Sequence, residues 1–123
     1  MWSISKLERK KEWDENHYLT NVLTRYVAQT CPVHVAMHQF DATSNKEKYC
    51  SSHLHPNEDE INIIIAEGDF AMELEFAEET QIITESSVVF IPSNTQHSAN
   101  IIKGNGYFVC IRFPKKNSVI FTH

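Results

Sequence analysis

Glycine and proline are scarce, three and four among 123 residues, and no segment is built from them. That excludes a collagen-like or low-complexity chain, and 41% hydrophobic with 22% charged residues excludes a disordered one. Long apolar runs are also missing. Ile63 to Ala66 falls far short of the roughly 20 residues that cross a bilayer. Positive charge is in deficit, 11 Lys and Arg against 16 Asp and Glu for a net −5. Such a surface has little to offer a phosphate backbone or an anionic lipid, so neither nucleic acid nor membrane is an expected partner. Cysteine is limited to Cys31, Cys50 and Cys110, widely spaced and without a CxxC pair, which reads as reduced thiols in a cytoplasmic protein. Met1 to Glu15 is dense in charge and has no apolar h-region, so no secretory signal is expected. The length suits one domain.

What is present is a series of short strand-like segments. Residues 3–15 are charged and read as a short helix or an irregular arm, and between His17 and Val27 two periodicities compete. Leu19, Val22, Leu23, Tyr26 and Val27 fit a helix face, whereas Tyr18, Thr20, Val22, Thr24 and Tyr26 alternate as a strand would. Strand is the preferred reading there. Val33 to Phe40 follows with Val33, Val35 and Met37 on one face, then a polar loop, then Tyr49 to His55 as an extended run into the turn Pro56–Asp59. Glu60 to Ala66, Phe70 to Phe76, Gln81 to Thr84, Val88 to Ile91, Ser98 to Ile102 and Tyr107 to Phe113 complete the set, with Gly68-Asp69 and Lys103 to Gly106 read as connections. Strands this short and this regularly spaced predict an all-β sandwich or barrel.

The chemistry concentrates around Ser52 to Glu60. On an extended strand His53 and His55 point to the same face. The turn after Pro56 returns Glu60 beside them on the next strand. Two imidazoles and a carboxylate suit a divalent first-row metal, and His97, after the turn Pro92 to Gln96, is the best candidate for a fourth ligand. HxH alone arises by chance in a chain with seven histidines; the compound pattern is what carries weight.

In these residues the sequence resembles the cupin superfamily. His53-x-His55, four residues, Glu60 and then Gly68 matches the first cupin motif, and Pro92-x-Asn94-x-x-His97 with Asn100 matches the second. Glu47, Ser86, Ser87 and Asn94 replace residues usual in the family's turns, and the Gly after Glu60 comes one residue late. Asparagine is the best non-glycine occupant of a positive-φ position, so Asn94 can serve in glycine's place. The resemblance spans about residues 47–100. It implies a jelly-roll β-barrel or sandwich, with His53, His55, Glu60 and His97 as metal ligands in the barrel mouth. The expected division is an N-terminal arm or dimerisation segment, 1–32, and a cupin barrel, 33–123. Arms of similar small cupins pack on a partner barrel, which implies a homodimer.

Further candidates flank this set. Tyr49 and Ser51 share even spacing with His53 and are expected on the pocket face, Tyr49 as an acid, base or orienting group. His34 and His38 share a strand face and are candidates to line the pocket, with satisfied or exposed histidines as the plainer reading. Arg112, inside the apolar run Phe108 to Phe113, suits a substrate carboxylate or phosphate, although a solvated arginine fits the pattern equally well. Cys50 and Cys110 are read as small core residues, and Glu73, Glu75, Glu78 and Glu79 as a solvated edge. The expected cofactor is one divalent transition metal, Fe, Mn, Ni or Zn. The expected function is a metal-dependent enzyme acting on a small polar metabolite that bears a carboxylate, with oxygenase-type chemistry favoured. An isomerase, lyase or decarboxylase using the metal as a Lewis acid, or a non-catalytic small-molecule-binding module, are the alternatives.

Overall fold

In the computed structural model, residues 2–10, 22–42, 44, 45 and 47–115 are described. Seven strands occur among them: β1 (Leu7–Lys10), β2 (Leu23–Ala28), β3 (His34–Ala42), β4 (Glu58–Phe76), β5 (Glu79–Ile83), β6 (Ser87–Ile91) and β7 (His97–Pro114). They form one antiparallel sheet in the order β1-β2-β3-β7-β4-β5, with β6 paired to β4. The strand reading holds for Leu23–Ala28, where Leu23 and Arg25 are buried and β2 pairs with β3. His17, Tyr18 and the rest of that segment up to Asn21 lie outside the described residues, as does His123. Within the stretch 1–32, β1 and β2 therefore belong to the chain's own sheet.

β4 and β7 are each a single long strand, although the sequence reads as two strands apiece. The glycines that look like connections lie instead at a shared bend. The β4–β7 register shifts between Glu67 and Ala71, and Gly104 and Gly106 sit across from that irregularity. A β-carbon on Gly106 would lie 2.1 Å from the Ile65 carbonyl oxygen, and one on Gly104 would lie 2.5 Å from that of Asp69. Glycine here permits backbone to cross backbone. Beyond the bend the sheet folds into two leaves. The first holds β1, β2, β3, β6 and the facing halves of β4 and β7; the second holds β5 and the other halves. Phe40, Ile64 and Phe108 of the first leaf share one buried cluster with Met72, Leu74 and Ile101 of the second. That closure matches the expected jelly-roll architecture.

Gly106→Ala is expected to cost about 2–4 kcal/mol, combining overpacking against main chain with a strained backbone (φ 152°). Gly68→Ala, with nothing within 4 Å of the new carbon, meets only the strain of φ 71° and should cost about 1 kcal/mol. Urea titrations of both variants check this; equal losses would show that the Ile65 contact does not matter.

On β3 the inward residues are Ala36, His38, Phe40 and Ala42, opposite the face of Val35 and Met37. Alternation does not decide this in the first half of β3, where the outer face is also apolar: Val35 and Met37 sit beside Val109 and Ile111 of β7, all half-buried, whereas Gln39 and Asp41 farther along that face are exposed. Glu73 and Glu75 are not on an edge. β4 is flanked by β5 and β7 there, and both carboxylates meet Lys48 on the outside of the leaf.

Candidate metal centre

Residues 49–55 do not form a regular strand. His53 is held by an isolated antiparallel bridge to His97: its N–H donates to the His97 carbonyl at 2.9 Å and its carbonyl accepts the His97 N–H at 2.8 Å. The turn after β6 completes the link, because Asn94 donates its N–H to the His55 carbonyl at 3.0 Å. Asn94 has φ 64°, the left-handed conformation expected of a residue standing where glycine is usual. Main-chain bonds thus fix where all three imidazoles start. One nitrogen from each of His53, His55 and His97 lies within 4.8 Å of the others. Glu60, at the start of β4, adds a carboxylate: its Oε1 lies 3.5 Å from His55 Nε2 and 3.5 Å from His97 Nε2.

Whether this group suits a metal depends on where the ring protons sit. His53 Nδ1 and His97 Nδ1 donate to the carbonyls of Ser51 (2.7 Å) and Thr95 (2.8 Å), which leaves a lone pair on each Nε2. His97 Nε2 is buried without a hydrogen-bond partner, as a ligand nitrogen waiting for an ion would be. His55 differs. Arg112 donates to its Nδ1 at 3.0 Å, which places the proton on Nε2, toward Glu60. Ligation through His55 Nε2 requires that proton on Nδ1 and Arg112 turned toward Glu58, whose Oε1 it already approaches at 3.4 Å. With that one adjustment the residues fit a divalent ion.

The electrostatics agree. Burial alone would raise the Glu60 pKa, but the nearby His97 ring and the hydrogen bond from Asn62 override it and bring it to about 2, so the carboxylate is ionised. For His97, burial opposes the proton, yet Glu60 and the Thr95 carbonyl raise its pKa. Burial, helped by Arg112, lowers the His55 pKa to about 4 and keeps that ring neutral.

The centre opens on a cavity of about 320 Å³. His34, His38 and Arg112 line it, as their strand faces suggested, and so do both Cys50 and Cys110. Burial and the nearby Glu60 carboxylate push the Cys110 thiol up, so it stays protonated. Tyr49 is a correction. It is 2% exposed, lies in the core rather than on the cavity wall, and its hydroxyl accepts the Ile101 N–H at 3.0 Å. The even-spacing argument fails because residues 49–55 are irregular, and burial raises the phenol far above any useful acid–base range. Two residues escaped the sequence reading. Asn62, fully buried, donates to Glu60 Oε2 at 2.7 Å and so turns Oε1 toward the histidines; a lone asparagine in the isoleucine run after Glu60 was the available signal. Arg25, 7% exposed on β2, also lines the cavity, and nothing in its local sequence marks it.

No protein-family model and no curated protein matches the sequence. Solved structures do. KdgF from Halomonas sp. superposes with TM-score 0.58 at 16% identity, over 85% of this chain and 91% of its own. A predicted oxalate decarboxylase from Thermotoga maritima gives 0.61 at 14%, over 90% and 94%, and an RmlC-like cupin from Shewanella frigidimarina 0.56 at 13%, over 89% and 96%. This chain has the cupin fold. The Fe(II) form of HppE also shares it, with TM-score 0.59 at 7% identity, over 88% of this chain and 64% of HppE. In this chain the four candidate ligands come from the loop before β4, the third residue of β4 and the start of β7, and the bridge between His53 and His97 brings the loop to the strand.

Proposed function

We propose that this cupin is a metal-dependent enzyme acting on a small, polar, carboxylate-bearing metabolite by oxygenase-type chemistry. The observation that carries the reading is the convergence of His53, His55, His97 and the ionised Glu60 at one end of a cavity that also holds Arg112. When bound, iron at these four residues supplies oxygen activation, whereas manganese, nickel or zinc supplies Lewis acidity. The chain's own part is positioning. Asn62 orients Glu60, and the Ser51 and Thr95 carbonyls orient His53 and His97. Arg112 stands beside the centre to take a substrate carboxylate, and Leu54, Ala99 and Phe108 supply apolar wall. His38 is on that wall too, within reach of a bound molecule; Tyr49 has no part in the chemistry.

A Lewis-acid isomerase, lyase or decarboxylase is the second reading, favoured by the likeness to the predicted oxalate decarboxylase, as HppE favours the first. Anaerobic loading with Fe(II), then oxygen-uptake measurements over a panel of acids, separates them: turnover without oxygen consumption overturns the oxygenase. Ligand binding with no turnover under any metal overturns the enzyme reading in favour of a binding module. A homodimer in the cytoplasm belongs to the same reading, with exposed Val88 and Phe90 of β6 as apolar surface for a second copy to cover.

Glu60→Gln keeps size and one oxygen but removes the charge, and metal affinity is expected to fall roughly 10–100-fold with the fold intact. Asp59→Asn is the control, and Glu58→Gln, which weakens the partner of Arg112 but removes no candidate ligand, should lose less than Glu60→Gln. Asp59 Oδ1 accepts the Ser93 N–H at 2.9 Å, a bond the amide can keep. Metal titration of all three decides it; loss in Glu58→Gln alone would move the carboxylate assignment by two residues.

A further inference from the structure

The three imidazoles are not backed alike. Behind His53 and His97 stand acceptors: the ring N–H at Nδ1 donates to the Ser51 carbonyl at 2.7 Å in one and to the Thr95 carbonyl at 2.8 Å in the other. Behind His55 stands a donor, the Arg112 guanidinium, whose Nη1 is 3.0 Å from Nδ1. An arginine is always protonated and has no acceptor, so the Nδ1 it donates to must carry a lone pair. The His55 ring proton is therefore on Nε2. That is the nitrogen that faces the centre, 3.5 Å from the Glu60 oxygen that also lies 3.5 Å from His97 Nε2.

A ligating histidine ordinarily donates its other ring N–H to a carbonyl or a carboxylate. His53 and His97 meet that pattern and His55 inverts it. For Nε2 of His55 to offer a lone pair, the proton has to pass to Nδ1 by way of solvent, the ring being neutral before and after. Two N–H groups then face each other across 3.0 Å, and Arg112 has to leave. A second acceptor is at hand. The same Nη1 lies 3.4 Å from Glu58 Oε1, and among the described residues His55 and Glu58 are the two hydrogen-bonding contacts of this guanidinium. Arg112 on β7 pairs across the strands with Glu60, and Glu58 stands two residues earlier on β4, so a side-chain rotation suffices to pass Nη1 from the imidazole to the carboxylate.

We propose that Arg112 gates the loading of the centre: bonded to His55 it holds the ring in the tautomer that cannot ligate, and an ion is admitted when the guanidinium passes to Glu58. This rests on the metal-centre reading and is indifferent to what reaction follows. The consequence runs against the usual one. Removing a partner of a ligand typically weakens metal binding 10–100-fold, whereas removing Arg112 strengthens it. Glu58 acts through the arginine, so it favours loading while Arg112 is present and loses most of that effect when it is not.

Zn(II) titration of the wild type, Arg112→Leu, Glu58→Gln and the double variant, in competition with a chelating indicator, tests this. Arg112→Leu is expected to bind zinc roughly 3–30-fold more tightly than the wild type, the range of one charge-assisted hydrogen bond partly recovered at Glu58. Glu58→Gln is expected to weaken zinc binding about 2–5-fold by itself and by less than about two-fold when combined with Arg112→Leu. An arginine acting only by its charge would also tighten zinc on removal, but Glu58→Gln would then cost the same in both backgrounds, and that result overturns the gate. Nitrogen NMR of the His55 ring, assigned by comparison with His55→Gln, gives a reading that needs no Arg112 variant to fold. The ring proton is expected on Nε2 in the chelator-treated chain and on Nδ1 in the zinc-loaded one. A proton on Nδ1 in both states, or an Arg112→Leu that binds zinc no better than the wild type, overturns the proposal and leaves the metal centre standing. Failure of the wild type and of every variant to take up zinc overturns the centre itself, and the gate with it.

Discussion

The purified chain is expected to carry close to one divalent transition metal, and His97→Ala to lose most of it. His97 is the best-buried of the three imidazoles and the most completely prepared. Its main chain is bonded to His53 in both directions, its Nδ1 proton is committed to Thr95, and its Nε2 is enclosed with no hydrogen-bond partner. Burying such a nitrogen costs free energy that only an ion or a proton recovers. Losing an outer-shell partner of a ligand typically weakens metal binding 10–100-fold, so losing the ligand itself should exceed that range. The alanine also frees the space that the ring fills beside Glu60 and leaves that carboxylate with His55 alone among the histidines near its Oε1. Elemental analysis of wild type and variant reads the outcome directly. A wild type that stays empty after exposure to Mn, Fe, Co, Ni and Zn would end the metal hypothesis.

The candidate ligands were legible because their arrangement is local on two short segments. The spacing in His53-x-His55 and the turn before Glu60 both act over fewer than ten residues, and the sequence carries them in the open. The pairing of His53 with His97, by contrast, is a contact between a loop and a distant strand, recoverable only through the family resemblance. Strand faces were legible only where one face is polar. Phe70, Met72 and Leu74 alternate with Glu73 and Glu75 and are buried as expected, but the first half of β3 carries Val35 and Met37 on its outward face and His38 on its inward one, so its inward face was not evident there. Glycines misled in proportion to their rarity: Gly104 and Gly106 read as a loop, while their use is to let β7 pass close to the main chain of β4. Arg25 and Asn62 were out of reach for a different reason. Their roles are set by particular neighbours, His38 across the strands for one and the carboxylate of Glu60 two residues earlier on β4 for the other, and a polar residue in a strand carries no mark of which face it takes.

Asn100→Ala is expected to cost about 3–5 kcal/mol and to weaken metal binding with it. The side chain is 4% exposed and makes three hydrogen bonds to a stretch that has no regular strand partner of its own. Its Oδ1 accepts the N–H groups of Tyr49 (2.9 Å) and Cys50 (3.0 Å), and its Nδ2 donates to the Cys50 carbonyl (3.0 Å). Each bond contributes about 1 kcal/mol net, but truncation leaves the main-chain groups of two residues that are 2% and 4% exposed facing apolar neighbours, and each orphaned group costs about 1–3 kcal/mol. Water cannot readily replace the amide there, since Tyr49 and Cys50 are part of the main apolar cluster. The functional consequence follows from chain connectivity. Cys50 lies three residues before His53, whose bridge to His97 ties the loop to the start of β7. Freed at Asn100, the start of the loop loses a fixed anchor upstream of the His97 bridge and the Asn94 bond to His55, and His53 is held less firmly relative to the other candidate ligands. Asn100→Asp separates the two effects, because it keeps an acceptor for both N–H groups while removing the donor to Cys50; its loss should be smaller than that of alanine and its metal affinity closer to wild type. Urea denaturation of the metal-free proteins, followed by metal titration of each, measures both quantities. A stability loss below about 1 kcal/mol in Asn100→Ala would show that the loop is held without the Asn100 side chain.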